Sequence, residues 1–273
     1  MTSADQQTSV AVFIPTDAVE ALVAPILASL PETLRRSSNT HGSIHVIDGR
    51  PPTWARSVRD AVEAGSAGVF VLDPSVPRLV ELDEIVGLAA SIPIGLDLAW
   101  ANNPALAGLQ TQNDRSLRAV VANGSVDSGD SLIKGTVDAV VAVSRLVGNV
   151  PTLVGIDRGE WSVSAAGRWG TVVFRLTIVR SAAVGRRLEI SAHGDARTWA
   201  ASVPDPVSAA PAIVAVTGER GTELRPSIYE ASRRWGLRAL AERVQHGGPT
   251  GDLASYRSVV EAIVNADVRA GRA

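Results

Sequence analysis

The sequence predicts two folds in tandem: an α/β domain built on a parallel sheet, then an α+β domain with an open, mostly antiparallel sheet. Three observations carry this. Strand-like and helix-like segments alternate up to about residue 100. Val69, Phe70, Val71 and Leu72 form an apolar run without polar alternation, as a parallel strand covered on both faces requires. Further on, Val172, Phe174, Leu176 and Ile178 alternate with Val173, Arg175 and Thr177, the pattern of an antiparallel sheet with one wetter face. The expected division is residues 1–101 for the first domain and 102–273 for the second.

Taken in order, residues 10–14 are a first strand. Asp17 and Glu20 have capping-box spacing and start a helix carrying Val19, Leu22, Val23, Ile26, Leu27 and Leu30, which Pro25 should kink. Residues 31–42 are polar and read as a loop. Ile44, Val46 and Ile47 form a strand that stops at Asp48-Gly49. Residues 54–65 are helical, with Val58, Ala61 and Val62 on one face and Gly65 as the stop. With the strand at 69–72 this is a right-handed βαβ unit. A helix over 76–90 and a strand over 92–98 complete the parallel part.

Asn103-Pro104 opens a short helix, 117–122 is a strand, and 130–147 is a helix ending at Gly148. Strand-like runs follow at 152–156, 161–165, 169–179, 187–192, 197–201 and 213–216. Helices at 227–246 and 253–270 close the chain, separated by a Gly-Gly-Pro segment.

Composition excludes several functions. Net charge is −2, so no strong field draws the chain to nucleic acid or to a membrane surface. Cysteine is absent, which removes disulfides and thiol catalysis. Residues 1–9 lack the apolar stretch of a signal peptide, and 85–101 is broken by Pro93 and Asp97, too short for a membrane span. A soluble cytoplasmic protein is expected.

The order and spacing of several segments resemble the Gfo/Idh/MocA oxidoreductases (glucose-fructose oxidoreductase, inositol dehydrogenase and relatives). Residues 47–74 resemble that family's strand, Pro-rich turn, helix and following strand. Asn103-Pro104-Ala105 resembles its segment at the domain junction, and Val137-Asp138 through Leu146-Val147-Gly148 its central helix. Leu188-Glu189-Ile190 with Gly194 resembles one of its strands, and Val259, Val260, Ala262 and Ile263 its closing helix. The resemblance implies a Rossmann-like first domain, here truncated, and a sugar- or polyol-type substrate in an interdomain cleft.

The departures from the family pattern shape the functional expectation. The glycine-rich phosphate turn is replaced by Ile14-Pro15-Thr16-Asp17-Ala18-Val19. The second strand, which would read the adenosine ribose, reads as deleted. Asp48 precedes Pro51-Pro52 and fits a later strand better than the ribose-binding position. The family's Glu-Lys-Pro corresponds to Leu72-Asp73-Pro74, which places an acid where the resemblance implies a lysine. The histidine of its central helix corresponds to Gly135, with Ser131 in place of the preceding Asp, while Asp138 is kept and Lys134 lies one residue away.

The expectation is therefore a degenerate relative, a pseudoenzyme with no cofactor, keeping a small polar ligand or a partner subunit. The candidate acid–base groups are Asp73, Asp138 and Lys134, and the candidate ligand-binding residues are Asp48, Trp54, Trp100, Asn102 and Asn103. A homodimer or heteromer through the second sheet is expected. The alternatives are an active NAD(P)-dependent sugar or polyol oxidoreductase with an atypical site, and cofactor-free acid–base chemistry in the same cleft. His41 and His45 flank Gly42-Ser43 at a strand entrance, where helical zinc-ligand geometry fails, so no metal is expected. Arg233, Arg234 and Arg238 read as a solvated or subunit-facing helix face. Trp161, Trp169 and Trp199 read as strand residues of a sheet face buried in an oligomer, with an aromatic sugar platform as the alternative.

Overall fold

A computed structural model describes residues 9–107, 116–205, 208, 210–247 and 251–270. The polar N-terminal stretch and most of the Gly-Gly-Pro segment lie outside the described residues. The chain divides into two compact units. One comprises Met1–Asp97 with Arg234–Ala254, the other Leu98–Arg233 with Ser255–Ala273. The division is discontinuous in sequence, because Arg234–Ala254 groups with the first unit.

The first unit holds a five-stranded, all-parallel sheet in the order β2-β1-β3-β4-β5. Its strands are β1 (Val10–Phe13), β2 (Leu34–Ser37), β3 (Ile44–Asp48), β4 (Gly68–Leu72) and β5 (Ile94–Leu96). Helix α1 (Asp17–Ser29) follows β1, α2 (Trp54–Glu63) follows β3, and α3 (Leu79–Leu88) follows β4. All five residues of β4 are buried, as its unbroken apolar run requires. Val19 and Val23 of α1 share one core with Ile44, Val46, Phe70 and Leu72, and Leu237, Leu240 and Ala241 of α6 (Ser232–His246) join it. Burying these side chains contributes about 1.5–3 kcal/mol for each large one.

The second strand is present, which corrects the expected deletion and the expected loop. Only Leu34 of β2 is buried, and the strand lies at the sheet edge, so no apolar run marks it in the sequence. The sheet remains short of a full dinucleotide-binding order, because nothing among the described residues lies outside β2. The strand order reverses between β1 and β3, which makes their carboxyl ends a topological switch point, the usual place for a ligand in an open parallel sheet.

The second unit holds α4 (Pro104–Ala107) and an eight-stranded sheet in the order β13-β12-β11-β10-β6-β9-β8-β7. These strands are β6 (Leu117–Val126), β7 (Thr152–Arg158), β8 (Ser162–Trp169), β9 (Val172–Arg180), β10 (Arg187–Gly194), β11 (Arg197–Val203), β12 (Ile213–Gly218) and β13 (Gly221–Leu224). Only β6 and β9 pair in parallel. Phe174, Leu176 and Ile178 are buried, while Val173 and Val179 on the opposite face are exposed. Helix α5 (Leu132–Val147) packs on β6 and β9. Ser131 caps its start by accepting from Lys134 N at 3.4 Å, and Gly148, at φ 90°, ends it. Helix α7 (Gly251–Ala270) closes the chain.

Candidate functional site

In the first unit the carboxyl ends of β3 and β4 are locked together. Gly49 N donates to Leu72 O at 2.7 Å, and Ser75 N donates to Gly49 O at 2.8 Å. A Cβ at position 49 would lie 2.4 Å from Leu72 O and 2.7 Å from Pro74 Cα, so only glycine fits. Trp54 opens α2 fully buried, and its indole N–H donates to Ser75 O at 2.9 Å. It therefore braces the loop.

The charged side chains gather on this frame. Asp48 Oδ1 accepts from the backbone N–H of Arg50 at 3.0 Å and from Arg50 Nε at 2.9 Å, while Oδ2 accepts from Nη2 at 2.8 Å. This two-point pairing is the geometry in which a guanidinium binds a carboxylate best. The hydrogen bond and charge of Asp48, with the charge of Asp73 behind them, raise the Arg50 pKa. Asp73 itself sits at φ 50°, the one non-glycine residue with positive φ among the described residues. An aspartate held there stores about 1 kcal/mol or more, and such residues cluster at functional sites. The structure thus brings Asp48 and Asp73 together around Arg50, which sequence reasoning missed. The Asp-Gly-Arg step directly after a strand was the available signal.

The neighbouring strand ends complete the picture. The turn from β1 into α1 is glycine-free. Thr16 caps the helix, accepting from Val19 N at 3.4 Å, and Asp17 and Glu20 occupy the first turn. Thr16 therefore holds the cap position where Asp17 had been expected. On β2, Arg36 lies beside Val12 of β1 and donates to Glu20 Oε2 at 2.7 Å, while Arg35 is exposed. Ser37 ends the strand. These residues fall in the stretch that had read as a loop.

The remaining candidates form a buried network in the second unit. The Asp138 carboxylate on α5 accepts from Trp100 N at 3.1 Å and from Ala101 N at 3.0 Å. Arg145, two turns on, donates to Ala101 O and to Asn102 Oδ1, the latter at 2.8 Å. Asn103 Oδ1 accepts from Ala105 N at 3.0 Å and starts α4. Ser232 donates to Ala99 O. The Arg186 guanidinium lies 6.0 Å from the Trp100 ring centroid and pairs with Asp130 at 3.1 Å. Burial raises the Asp138 pKa, opposed first by the Ala101 N–H and then by Arg186, Trp100 N–H and Arg145. Burial, with the Asp138 charge behind it, also raises the Tyr256 pKa.

Asp138, Trp100, Asn102 and Asn103 thus tie down the chain where it enters the second unit. Lys134 is partly buried in the first turn of α5. Gly135 allows α5 to cross β6 closely, since a Cβ there would lie 2.6 Å from Val126 Cγ1. Among the described residues no His, Cys, Asp or Glu group could hold a metal ion. His45 is instead packed edge-on against Phe13, with ring centroids 4.9 Å apart.

No family model matches the sequence, and no curated protein matches it. Solved structures do match. KijD10, a 3-ketoreductase from Actinomadura kijaniata crystallised with NADP and TDP-benzene, is 14% identical, with a TM-score of 0.73 over 93% of this chain and 96% of that one. The dehydrogenase MviM from Clostridium difficile is 9% identical, with a TM-score of 0.71 over 94% and 99%. An oxidoreductase from Sinorhizobium meliloti is 12% identical, with a TM-score of 0.71 over 96% and 98%. The chain thus shares the two-domain fold of these structures, the fold that the resemblance in the sequence implied. The expectation of no cofactor is corrected by the same comparison, since KijD10 is crystallised with NADP.

Proposed function

We propose that this protein binds NADP in its first unit and is a reductase or dehydrogenase for a small hydroxyl-rich, sugar-like compound. The observation that carries the reading is the Arg35-Arg36-Ser37 sequence at the carboxyl end of β2. In a sheet of this kind the adenosine ribose lies beside the end of that strand, and an arginine there accommodates a 2′-phosphate. The likeness to KijD10 with its NADP supports the same reading.

The residues fit the two ends of the cofactor unequally. At the adenosine end β2 offers two guanidiniums and a hydroxyl, and the exposed Arg36–Glu20 pair costs little to rearrange. At the pyrophosphate end Pro15 has no N–H, Thr16 already occupies one free N–H of α1, and Asp17 adds negative charge. The 2′-phosphate is thus the stronger anchor. NADP, when bound, supplies or accepts the hydride. The chain's own residues orient the substrate: Arg50 donates to its hydroxyl oxygens, and Asp48 and Asp73 accept from its hydroxyl protons. Asp73 is the residue placed to hold a substrate proton.

A second reading is favoured by a specific observation. The position that resembles the family's histidine is Gly135, where even a Cβ would meet Val126 at 2.6 Å. In this reading dinucleotide and sugar bind without turnover. Following NADPH absorbance with a panel of ketosugars, and NADP reduction with the matching alcohols, separates the two. Turnover that falls at least about tenfold in Asp73→Asn supports the first reading. Ligand binding with no hydride transfer supports the second.

The partner and the location are part of the proposal. The face of the second sheet that carries Val173 and Val179, both exposed, suits pairing with another copy of this chain. Light scattering that shows a monomer at high concentration would remove that idea. No helix among the described residues is long and apolar enough to cross a membrane. A cytoplasmic location is proposed on the use of NADP, and fractionation of the source cells tests it.

A further inference from the structure

A cavity of about 590 Å³ lies at the β13 edge of the second unit's sheet, lined by none of the candidate site residues considered above. It is built on the β12–β13 hairpin, whose two-residue connection is Glu219-Arg220. Gly218 and Gly221 face each other across the hairpin, and Arg197 of β11 pairs with Gly218 from the other side. The glycines carry no side chain, so the cavity opens onto their backbone. Val216 adds a small apolar surface.

Three arginines and two glutamates line this space. Arg225 is paired with Glu223 at 3.3 Å. The guanidiniums of Arg197 and Arg220 have no hydrogen-bond or ion-pair partner among the described residues, although both line one cavity. Two unpaired guanidiniums around a pocket of ligand size make a receptor for a planar or tetrahedral oxyanion, which an arginine fork binds through two parallel hydrogen bonds. Glu219 at the rim limits the negative charge the site tolerates. A compact ligand with one anionic group suits it better than a polyanion.

We propose that this pocket is an oxyanion-binding site for a small phosphate monoester or carboxylate, held between Arg197 and Arg220. It shares no residue with the dinucleotide and sugar site proposed above and does not depend on it. The test is isothermal titration of the full chain at low ionic strength with inorganic phosphate in one arm and acetate in the other. One saturable site is expected, in the millimolar range, and the arm that saturates at lower concentration identifies the ligand class. Arg197→Gln with Arg220→Gln should weaken that binding at least tenfold, while melting temperature, circular dichroism and NADPH titration stay unchanged. Glu219→Gln should tighten it a fewfold. Titrations that never saturate in either arm, or an isotherm that the double variant leaves intact, would overturn the proposal.

Discussion

Replacing Asp138 by Asn should destabilise the second unit. The carboxylate accepts two backbone N–H bonds, at 3.1 Å from Trp100 and 3.0 Å from Ala101, in a site closed to solvent. Asparagine keeps the shape but offers one acceptor oxygen, so its amide N–H₂ is set against the second N–H. Losing one bond to a charged group costs about 1.5–3 kcal/mol, and the stranded N–H costs about 1–3 kcal/mol more. Removing a buried charge returns part of this, which leaves a net loss of about 2–4 kcal/mol. In a unit of this size that lowers the melting temperature by about 10 °C.

The pH dependence has a definite sign. Burial raises the folded pKa of Asp138 above its ordinary value of 3.8, so the folded protein holds a proton that the unfolded chain has released. This contribution to stability is present at low pH and is lost as pH rises from 3.8 through the raised folded value. Asp138→Asn should flatten the slope in that window. Calorimetry of both proteins across the acid range is the assay. A stability change under about 0.5 kcal/mol, or an unchanged pH slope, would refute the reasoning from this network.

Two further outcomes follow from the loop frame of the first unit. Gly49→Ala should cost about 3 kcal/mol or more, because its Cβ would lie 2.4 Å from Leu72 O with backbone on both sides; urea unfolding reads this directly. Asp73→Gly should relieve the strain at φ 50°, offset by the greater freedom glycine gives the unfolded chain, so its stability should change by less than about 1 kcal/mol. Sugar-ligand binding should nonetheless weaken in that variant, and the two measurements together separate a functional aspartate from a merely tolerated one.

How much of this was legible in the sequence depended on burial. The run at β4 and the alternation along β9 were readable because each buries a continuous or alternating set of apolar side chains. Helix α5 was readable because it is a long, largely apolar run that ends at a left-handed glycine. Strands β2 and β13 were not, since β2 buries one residue and β13 none, and edge strands of this kind are held by backbone bonds that carry no side-chain signature. The start of α6 was expected at 227 and lies at Ser232, which is fixed by its bond to Ala99 O, a contact distant in sequence. Positions such as Asp48, Asp73 and Asp138 were identifiable, but their roles were not. Those roles depend on whether a partner is a guanidinium two residues away or a backbone N–H across the unit.

The proposed function rests most directly on the preference for NADPH over NADH. Titrating the full chain with each dinucleotide should show NADPH binding at least about tenfold more tightly, since the 2′-phosphate gains bonds to charged donors worth about 1.5 kcal/mol or more. Arg35→Gln with Arg36→Gln should abolish that preference without loss of fold. Equal affinity for the two dinucleotides, or a preference that survives the double variant, would contradict the account.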